Sequence, residues 1–306
     1  MKSGRHLSRG FTIVETMIYL AVTSLLLVSA LGLVAGSQNK TEFNTAINQL
    51  NQQIGDVINN VANGYYANIN NVATNWTCSG SSGTPSFSNT TGGGKGTNQG
   101  CIFVGRAMKF SDSEEKFYIF NMAGVRQVDD GSGNKHEVTN MKESQPVAIT
   151  QIHHGHSFPE TVETIPLQSG LKVAAIQYKA NAGVQNTGGM VFYSTLATLN
   201  DKGQLKNGSQ SVNFAPIPNN NLGDDSEAFV GKVEDFSRST GSYLGAGYED
   251  ASYGYKNPTG GIWICVNSGS TDQHGTIMIG GPNSQGATVL KIHNGRCESD
   301  GTEFGQ

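Results

Sequence analysis

The chain has 306 residues, of which 14% are charged and 40 are glycine, and its formal net charge is −4. A broad nucleic-acid surface needs a basic face, so this acidic balance argues against nucleic acid as a partner. The low charge content and the many Asn, Ser, Thr and Gln residues are typical of a secreted β-rich protein rather than of a cytosolic enzyme.

A short basic leader precedes a long apolar segment. Residues 1–10 include Lys2, Arg5 and Arg9, and no residue from Met17 to Gly36 is charged. About 20 apolar residues can cross a bilayer as a helix. The positive-inside rule places the leader in the cytoplasm and the rest of the chain outside. We therefore expect a single-pass membrane protein with its head on the extracytoplasmic side.

Glu15 is the exception in this segment, because a carboxylate at mid-membrane costs on the order of 3 kcal/mol and is expected to have a partner. The stretch Gly10-Phe11-Thr12-Ile13-Val14-Glu15 and the apolar helix after it resemble the class III signal of the type IV prepilin family. That family includes pilins, the pseudopilins of type II secretion and competence pilins.

The resemblance implies that prepilin peptidase cuts after Gly10 and methylates the new amine of Phe11. It also implies that Glu15 pairs with the amine of a neighbouring subunit during filament assembly. The implied partners are other pilin subunits, an inner-membrane assembly platform and membrane lipids. The alternatives are a cut near Ala35-Gly36, as in an ordinary signal peptide, and a Glu15 side chain that snorkels to water.

Residues 37–64 are predicted to continue the helix out of the membrane as an amphipathic segment. Apolar residues recur there at spacings of three and four, which indicates one buried stripe. The stripe comprises Phe43, Ile47, Leu50, Ile54, Ile58 and Val61. Gly64 follows the last of them and is a plausible C-terminal stop. The next residues, 65–100, are rich in Gly, Ser and Thr and are predicted to form a polar loop.

Four cysteines follow the apolar segment, at positions 78, 101, 265 and 297. An even number of cysteines in an oxidising compartment predicts two disulfides. Three connectivities are open. The pairing of neighbours, Cys78–Cys101 and Cys265–Cys297, closes two local loops. A structural zinc site does not fit, because no Cys-x-x-Cys pair exists.

From Cys101 onward the pattern predicts strands separated by frequent turn signals. The predicted strands are residues 102–110, 116–122, 146–152, 171–179, 190–194, 228–234, 261–266, 276–279 and 288–293. The fold class is therefore α+β, with a long N-terminal helix packed on a mainly antiparallel β head. The predicted organisation is a leader (1–10), a transmembrane and polymerisation helix (11–36), an amphipathic helix (37–64) and a head (65–306).

Three polar clusters are candidate metal sites. His153-His154-Gly155-His156 could bind zinc or copper, but no nearby acid or cysteine completes a ligand set. The run Asp129-Asp130-Gly131-Ser132-Gly133-Asn134 could hold calcium, although the EF-hand spacing is absent and a hairpin turn is favoured. The run from Asn219 to Asp225 is similar. We predict no cofactor, with calcium as the alternative.

The sequence holds none of the common nucleophile motifs, so we predict no enzymatic activity. We expect a structural subunit of a type IV pilus-like filament that ends outside the cell. The length favours a minor pilin or pseudopilin over a major subunit. A tip adhesin or DNA-uptake receptor is the alternative from the binding class, and a membrane-tethered secreted enzyme is the third.

Overall fold

The computed structural model describes most of the N-terminal helix and the regular parts of the head. The described residues are 12–63, 76–79, 85–89, 100–110, 115–129, 131–138, 143–149, 162–180, 183–194, 212–218, 231, 233, 261–268, 273–280 and 288–294. The chain divides into two units, residues 1–45 and residues 46–306.

One long helix, α1, runs without interruption from Ile13 to Ala62. Its first part has no proline, and its side chains are mostly aliphatic residues of good helix propensity. The helix ends within two residues of the predicted stop, and Asn63 donates its N–H to the Asn59 carbonyl at 3.0 Å. Gly64 itself lies outside the described residues.

The second part of α1 is amphipathic, as the periodicity predicted. All six residues of the predicted stripe are 5% exposed or less, and Ala46 and Val57 are buried with them. Between these positions lie Asn, Gln and Asp side chains that are half-buried or exposed. Within the unit of residues 46–306, the Ile47 side chain lies directly against Gly275. A Cβ built on Gly275 would overlap the Cδ1 atom of Ile47.

Fourteen strands are described after the helix. They are β1 (Trp76–Ser79), β2 (Ser86–Asn89), β3 (Cys101–Phe110), β4 (Lys116–Val125), β5 (Gln127–Asp129), β6 (Lys135–Glu137), β7 (Val147–Ile149), β8 (Val162–Pro166), β9 (Lys172–Ala180), β10 (Gly183–Ser194), β11 (Val212–Pro218), β12 (Ile262–Asn267), β13 (Gln273–Ile279) and β14 (Thr288–Asn294).

Ten of these strands form one sheet with the order β14-β13-β12-β9-β10-β3-β4-β7, in which β11 also pairs with β10 and β8 also pairs with β4. The remaining strands form two separate pairs, β1 with β2 and β5 with β6. Every pairing among the described strands is antiparallel. The described architecture is therefore α+β, with one long helix and a mainly antiparallel sheet.

Strand β10 connects the two parts of the large sheet. Its first residues pair with β9, and its residues from Gly189 to Tyr193 pair with β3 on one edge and β11 on the other. The register shifts between Thr187 and Gly189. There the buried Thr187 hydroxyl accepts a hydrogen bond from the Gly189 N–H at 3.2 Å and lies within reach of the Gly189 and Ile217 carbonyls. This hydroxyl stabilises the register shift by hydrogen bonding to backbone groups that have no partner in the strand ladder.

Most predicted strands are present. The strands predicted at 102–110 and 116–122 are confirmed as β3 and β4, which pair with each other from Cys101 opposite Val125 to Phe110 opposite Phe117. The predicted strands near residues 147, 172, 262, 276 and 288 correspond to β7, β9, β12, β13 and β14. The strand predicted at 190–194 is confirmed but begins earlier, at Gly183.

Two predictions need correction. The strand predicted over residues 228–234 is wrong where it is described, because Gly231 and Val233 are helical. A short apolar run does not distinguish a strand from a buried helical turn. The polar loop predicted over residues 65–100 contains two short strands, β1 and β2, which pair from Trp76 opposite Asn89 to Ser79 opposite Ser86.

Candidate functional site

The first part of α1 exposes apolar side chains in every direction. Twelve large hydrophobic residues between positions 13 and 31 are 51% to 77% exposed. They are Ile13, Val14, Met17, Ile18, Tyr19, Leu20, Val22, Leu25, Leu26, Leu27, Val28 and Leu31. Because successive residues of a helix point 100° apart, this set covers the whole circumference rather than one stripe. Such a surface needs an apolar environment on all sides.

The length of this segment fits a bilayer. The uncharged residues from Thr16 to Gly36 would span about 30 Å at the rise of an α-helix, which is close to the thickness of a hydrocarbon core. By length and composition, α1 is long and apolar enough to cross a membrane. A core helix or a signal sequence can pass the same test. What separates α1 from a core helix is that none of its apolar 18-residue window, within the described residues, is buried.

The serine and threonine hydroxyl groups of this segment are satisfied within the helix itself. Thr16 donates to the Ile13 carbonyl at 2.8 Å, and Ser24 donates to the Leu20 carbonyl at 2.6 Å. Thr23 and Ser29 make the same kind of bond to carbonyls one turn earlier. A hydroxyl that bonds back to its own helix needs no water. These four polar side chains therefore add little cost to placing the segment in lipid or in a packed helix bundle.

Glu15 is the only charged residue in the apolar part of α1, and it is held by Thr12. The Thr12 N–H donates to Oε2 of Glu15 at 3.1 Å, and the Thr12 hydroxyl donates to the same oxygen at 3.2 Å. The Thr12 hydroxyl oxygen also lies 3.2 Å from the Glu15 N–H, which can donate to it. This reciprocal arrangement is a capping box, in which Thr12 is the N-cap and Glu15 is the third helical residue.

The capping box fixes the orientation of the carboxylate but engages only one of its two oxygens. Both bonds from Thr12 end on Oε2, and no described residue donates to Oε1 of Glu15. The arrangement can therefore present one oriented carboxylate oxygen to a cationic donor. Gly10 and Phe11, the predicted processing residues, lie outside the described residues.

The sequence prediction identified Glu15 but missed Thr12. It treated the carboxylate as unpartnered until cleavage exposes an amine, whereas the structure gives it two donors from one residue. The signal was present in the sequence, because Thr12-Ile13-Val14-Glu15 is the Thr-x-x-Glu spacing of a capping box directly before an apolar run.

The four predicted disulfide cysteines are described unevenly. Cys101, at the start of β3, and Cys265, in β12, are both disulfide-bonded. Their positions in the sheet are far apart in order, because β9 and β10 lie between β12 and β3. The side chain of Cys78 and all of Cys297 lie outside the described residues, so two disulfides stay a prediction, with the three connectivities that the sequence allows still open.

The acidic run at residues 129–134 is a hairpin turn, as favoured from the sequence. Strands β5 and β6 pair up to Asp129 opposite Lys135. The Asp129 Oδ1 atom accepts the N–H groups of Gly131 at 2.8 Å and Gly133 at 3.0 Å, and both glycines have positive φ. One carboxylate oxygen of Asp129 is thus used to close the turn.

The other polar clusters cannot be placed. The histidines 153, 154 and 156 and the run 219–225 lie outside the described residues. Within the described part of the chain, no group of three or more His, Cys, Asp or Glu side chains is arranged to hold a metal ion.

Comparisons with known proteins add no relative to these observations. The chain matches no protein-family model, no curated protein and no solved structure. The function must therefore be inferred from Thr12, Glu15 and the exposed apolar surface of α1.

Proposed function

We propose that this chain is a structural subunit, a minor pilin or pseudopilin, of a type IV pilus-like filament. The apolar first part of α1 anchors the precursor in the membrane and then packs among the helices of other subunits. The amphipathic second part packs on the β head, which faces outward. Prepilin peptidase removes residues 1–10 and methylates the new amine of Phe11.

One observation carries this proposal. The apolar surface of α1 is exposed around its full circumference over its first 20 residues or so, whereas its next turns bury a single stripe. A membrane anchor alone needs an apolar surface around its full circumference, but it does not need an oriented carboxylate at its start. A helix that must later be surrounded by copies of itself needs both an all-round apolar surface and a polar contact that sets axial position.

Glu15 supplies that contact in the proposed function. Its Oε2 accepts hydrogen bonds from Thr12, and its Oε1 accepts a hydrogen bond from the Phe11 amine of a neighbouring subunit. The cut falls at the Gly10–Phe11 bond, so the Thr12 N–H remains an amide and the capping box survives processing. Once lipid and packed helices surround the pair, either charge alone would be costly to bury. Axial positions that leave the pair unmade are therefore disfavoured.

The processing step is tested on the native product. Mass spectrometry of the protein purified from its host should show N-methylated Phe11 as the first residue. Gly10→Val should leave the leader attached and the precursor in the membrane. An unprocessed N-terminus, or a cut near Ala35, would rule out the proposed function.

The pairing step is tested with two Glu15 variants and a sheared-filament assay that detects the head by immunoblot. Glu15→Gln keeps a residue suited to the capping box but removes the charge, and Glu15→Leu removes both. We expect both variants to be cleaved and both to be depleted from filaments. Normal incorporation of Glu15→Gln would refute charge pairing and leave helix capping as the role of this residue.

Thr12→Val is the matched variant for the cap. It removes the hydroxyl and weakens the helix start by about 1 kcal/mol, while the charge of Glu15 remains. We expect normal cleavage and a smaller loss of incorporation than for Glu15→Leu. A loss as large as that of Glu15→Leu would mean that orientation of the carboxylate matters as much as its charge.

A further inference from the structure

Strands β7 and β8 occupy one edge of β4 end to end. Ile149, the last residue of β7, pairs with Asn121 of β4. Val162, the first residue of β8, pairs with Phe120, the very next position of β4. Since β3 occupies the other edge of β4, β7 and β8 lie in line along the same edge. In register, they are two halves of one edge strand, and the 12 residues 150–161 join the halves.

The second half has little in its own sequence to fix its register. A hairpin turn normally fixes register, but the connection before β8 is 12 residues long. The apolar pattern distinguishes the two faces, because the half-buried Ile165 and Leu167 alternate with exposed residues, but it does not distinguish a register from one shifted by two residues. After the strand, the Leu167 N–H donates to the Glu115 carbonyl at 2.7 Å, which constrains the backbone but not the side chains.

A buried cation on β3 selects one position of β8. Arg106 is only 2% exposed, and its Nε donates to the Asn121 Oδ1 at 3.0 Å. Its Nη1 lies 3.7 Å from Oε2 of Glu163. Glu163 is the only acid in β8. A shift of β8 by one residue would turn Glu163 to the other face, and a shift by two would place Ile165 or Thr161 in its position.

We propose that the ion pair between Arg106 and Glu163 sets the register of the second half of this split edge strand. A misregistered strand would leave a buried guanidinium without its carboxylate, which is costly. A single polar contact that excludes other registers is the best-attested role of buried charges. Because the ion pair fixes the register, residues 150–161 do not have to fix it, and the sheet places no constraint on their sequence.

The test combines a charge variant with removal of the connection, in the full chain in detergent. Glu163→Gln removes the charge, and Thr164→Gln on the exposed face is the matched control. In a second background, residues 150–161 are deleted so that Ile149 is joined to Val162, directly or through one glycine. The covalent link then fixes the register. Amide hydrogen exchange of residues 162–165 is measured by mass spectrometry.

We expect Glu163→Gln to speed exchange in β8 by about tenfold or more in the full chain and by less than about twofold in the deletion background. Thr164→Gln should change exchange by less than about twofold in both. Equal effects of Glu163→Gln in the two backgrounds would overturn the proposal, as would an effect of Thr164→Gln as large as that of Glu163→Gln. Failure of both deletion variants to fold would show that β7 and β8 are not one interrupted strand.

Discussion

The contact between Ile47 and Gly275 gives the sharpest test of how the second part of α1 meets the sheet. Gly275 lies in the middle of the β13 ladder, opposite Val266 on one side and Ile292 on the other. A Cβ on this residue would overlap the Ile47 Cδ1, whereas the Ile47 Cγ1 and the Lys291 carbonyl oxygen are both 3.6 Å away. One methyl group of one side chain is therefore the obstacle to an alanine at position 275.

This geometry predicts a strong coupling between two small substitutions. Gly275→Ala alone should destabilise the head by about 1–3 kcal/mol, because Ile47 is fully buried and β-branched and has few other rotamers. Ile47→Val alone removes the obstructing methyl and should cost about 1 kcal/mol. In the double variant the new Cβ fills the space that the methyl leaves. The pair should therefore be more stable than the sum of the single effects by about 1–2 kcal/mol.

The measurement is urea unfolding of the full chain in detergent, followed by tryptophan fluorescence, to which Trp263, buried in β12 beside β13, contributes together with Trp76. Gly55→Ala is the control, because a Cβ at this helical position meets nothing within 4 Å. It should stabilise by about 0.5–1 kcal/mol through helix propensity alone. Additive effects of Gly275→Ala and Ile47→Val would refute the contact between this turn of α1 and β13.

Three further predictions concern the head. Gly280 has a φ of 73° and its added Cβ would overlap the Phe214 ring, whereas Gly131 has a φ of 82° and open space; Gly280→Ala should therefore lower the urea midpoint much more than Gly131→Ala. Cys101→Ser should destabilise the head by about 2–5 kcal/mol. Non-reducing peptide mapping should recover two disulfide links and will select one of the three connectivities; a free cysteine in the native protein would contradict the sequence prediction. Burial raises the pKa of Tyr178 above its ordinary value of 10.0, so above that pH the unfolded chain ionises first and stability falls; Tyr178→Phe should reduce this alkaline loss, and an unchanged pH profile would count against it.

The parts of the fold that local pattern determines were predictable. The buried stripe of α1 follows from spacings of three and four, and the β3–β4 hairpin follows from two apolar runs around a polar turn. The Gly-rich turn at Gly131 and Gly133 was predictable because positive φ favours glycine.

Strands at the edges were harder to predict. β11 contains Pro216 and Pro218, which weaken a strand prediction, yet both are tolerated because, among the described strands, β11 pairs with β10 alone. β8 contains Glu163 and ends at Pro166, and its place depends on β4 and on a cation from β3. Neither the partner strand nor the cation can be read from the five residues of β8 themselves.

Of the two residues of the candidate site, Glu15 was predictable from the sequence and its partner Thr12 was missed. Glu15 stands out as the one charge in an apolar run, so its importance follows from composition alone. Its partner Thr12 required the sequence to be read as the start of a helix as well as the start of a membrane segment. The order of the sheet could not be predicted, because it depends on two pairings between strands that are far apart in sequence, β10 with β3 and β12 with β9.

Under the proposed function, in which a subunit moves from lipid into a filament, the back-bonded hydroxyls of α1 have an energetic consequence. Thr16, Thr23, Ser24 and Ser29 carry their acceptors with them, so this transfer breaks none of their hydrogen bonds and strips no water from them. Lipid and the interior of a filament are both apolar, so the free energy of transfer between them is close to zero along most of the segment. A free-energy difference this small would let the same subunit leave the bilayer and return to it. The net direction of transfer would then be set by an external source of energy.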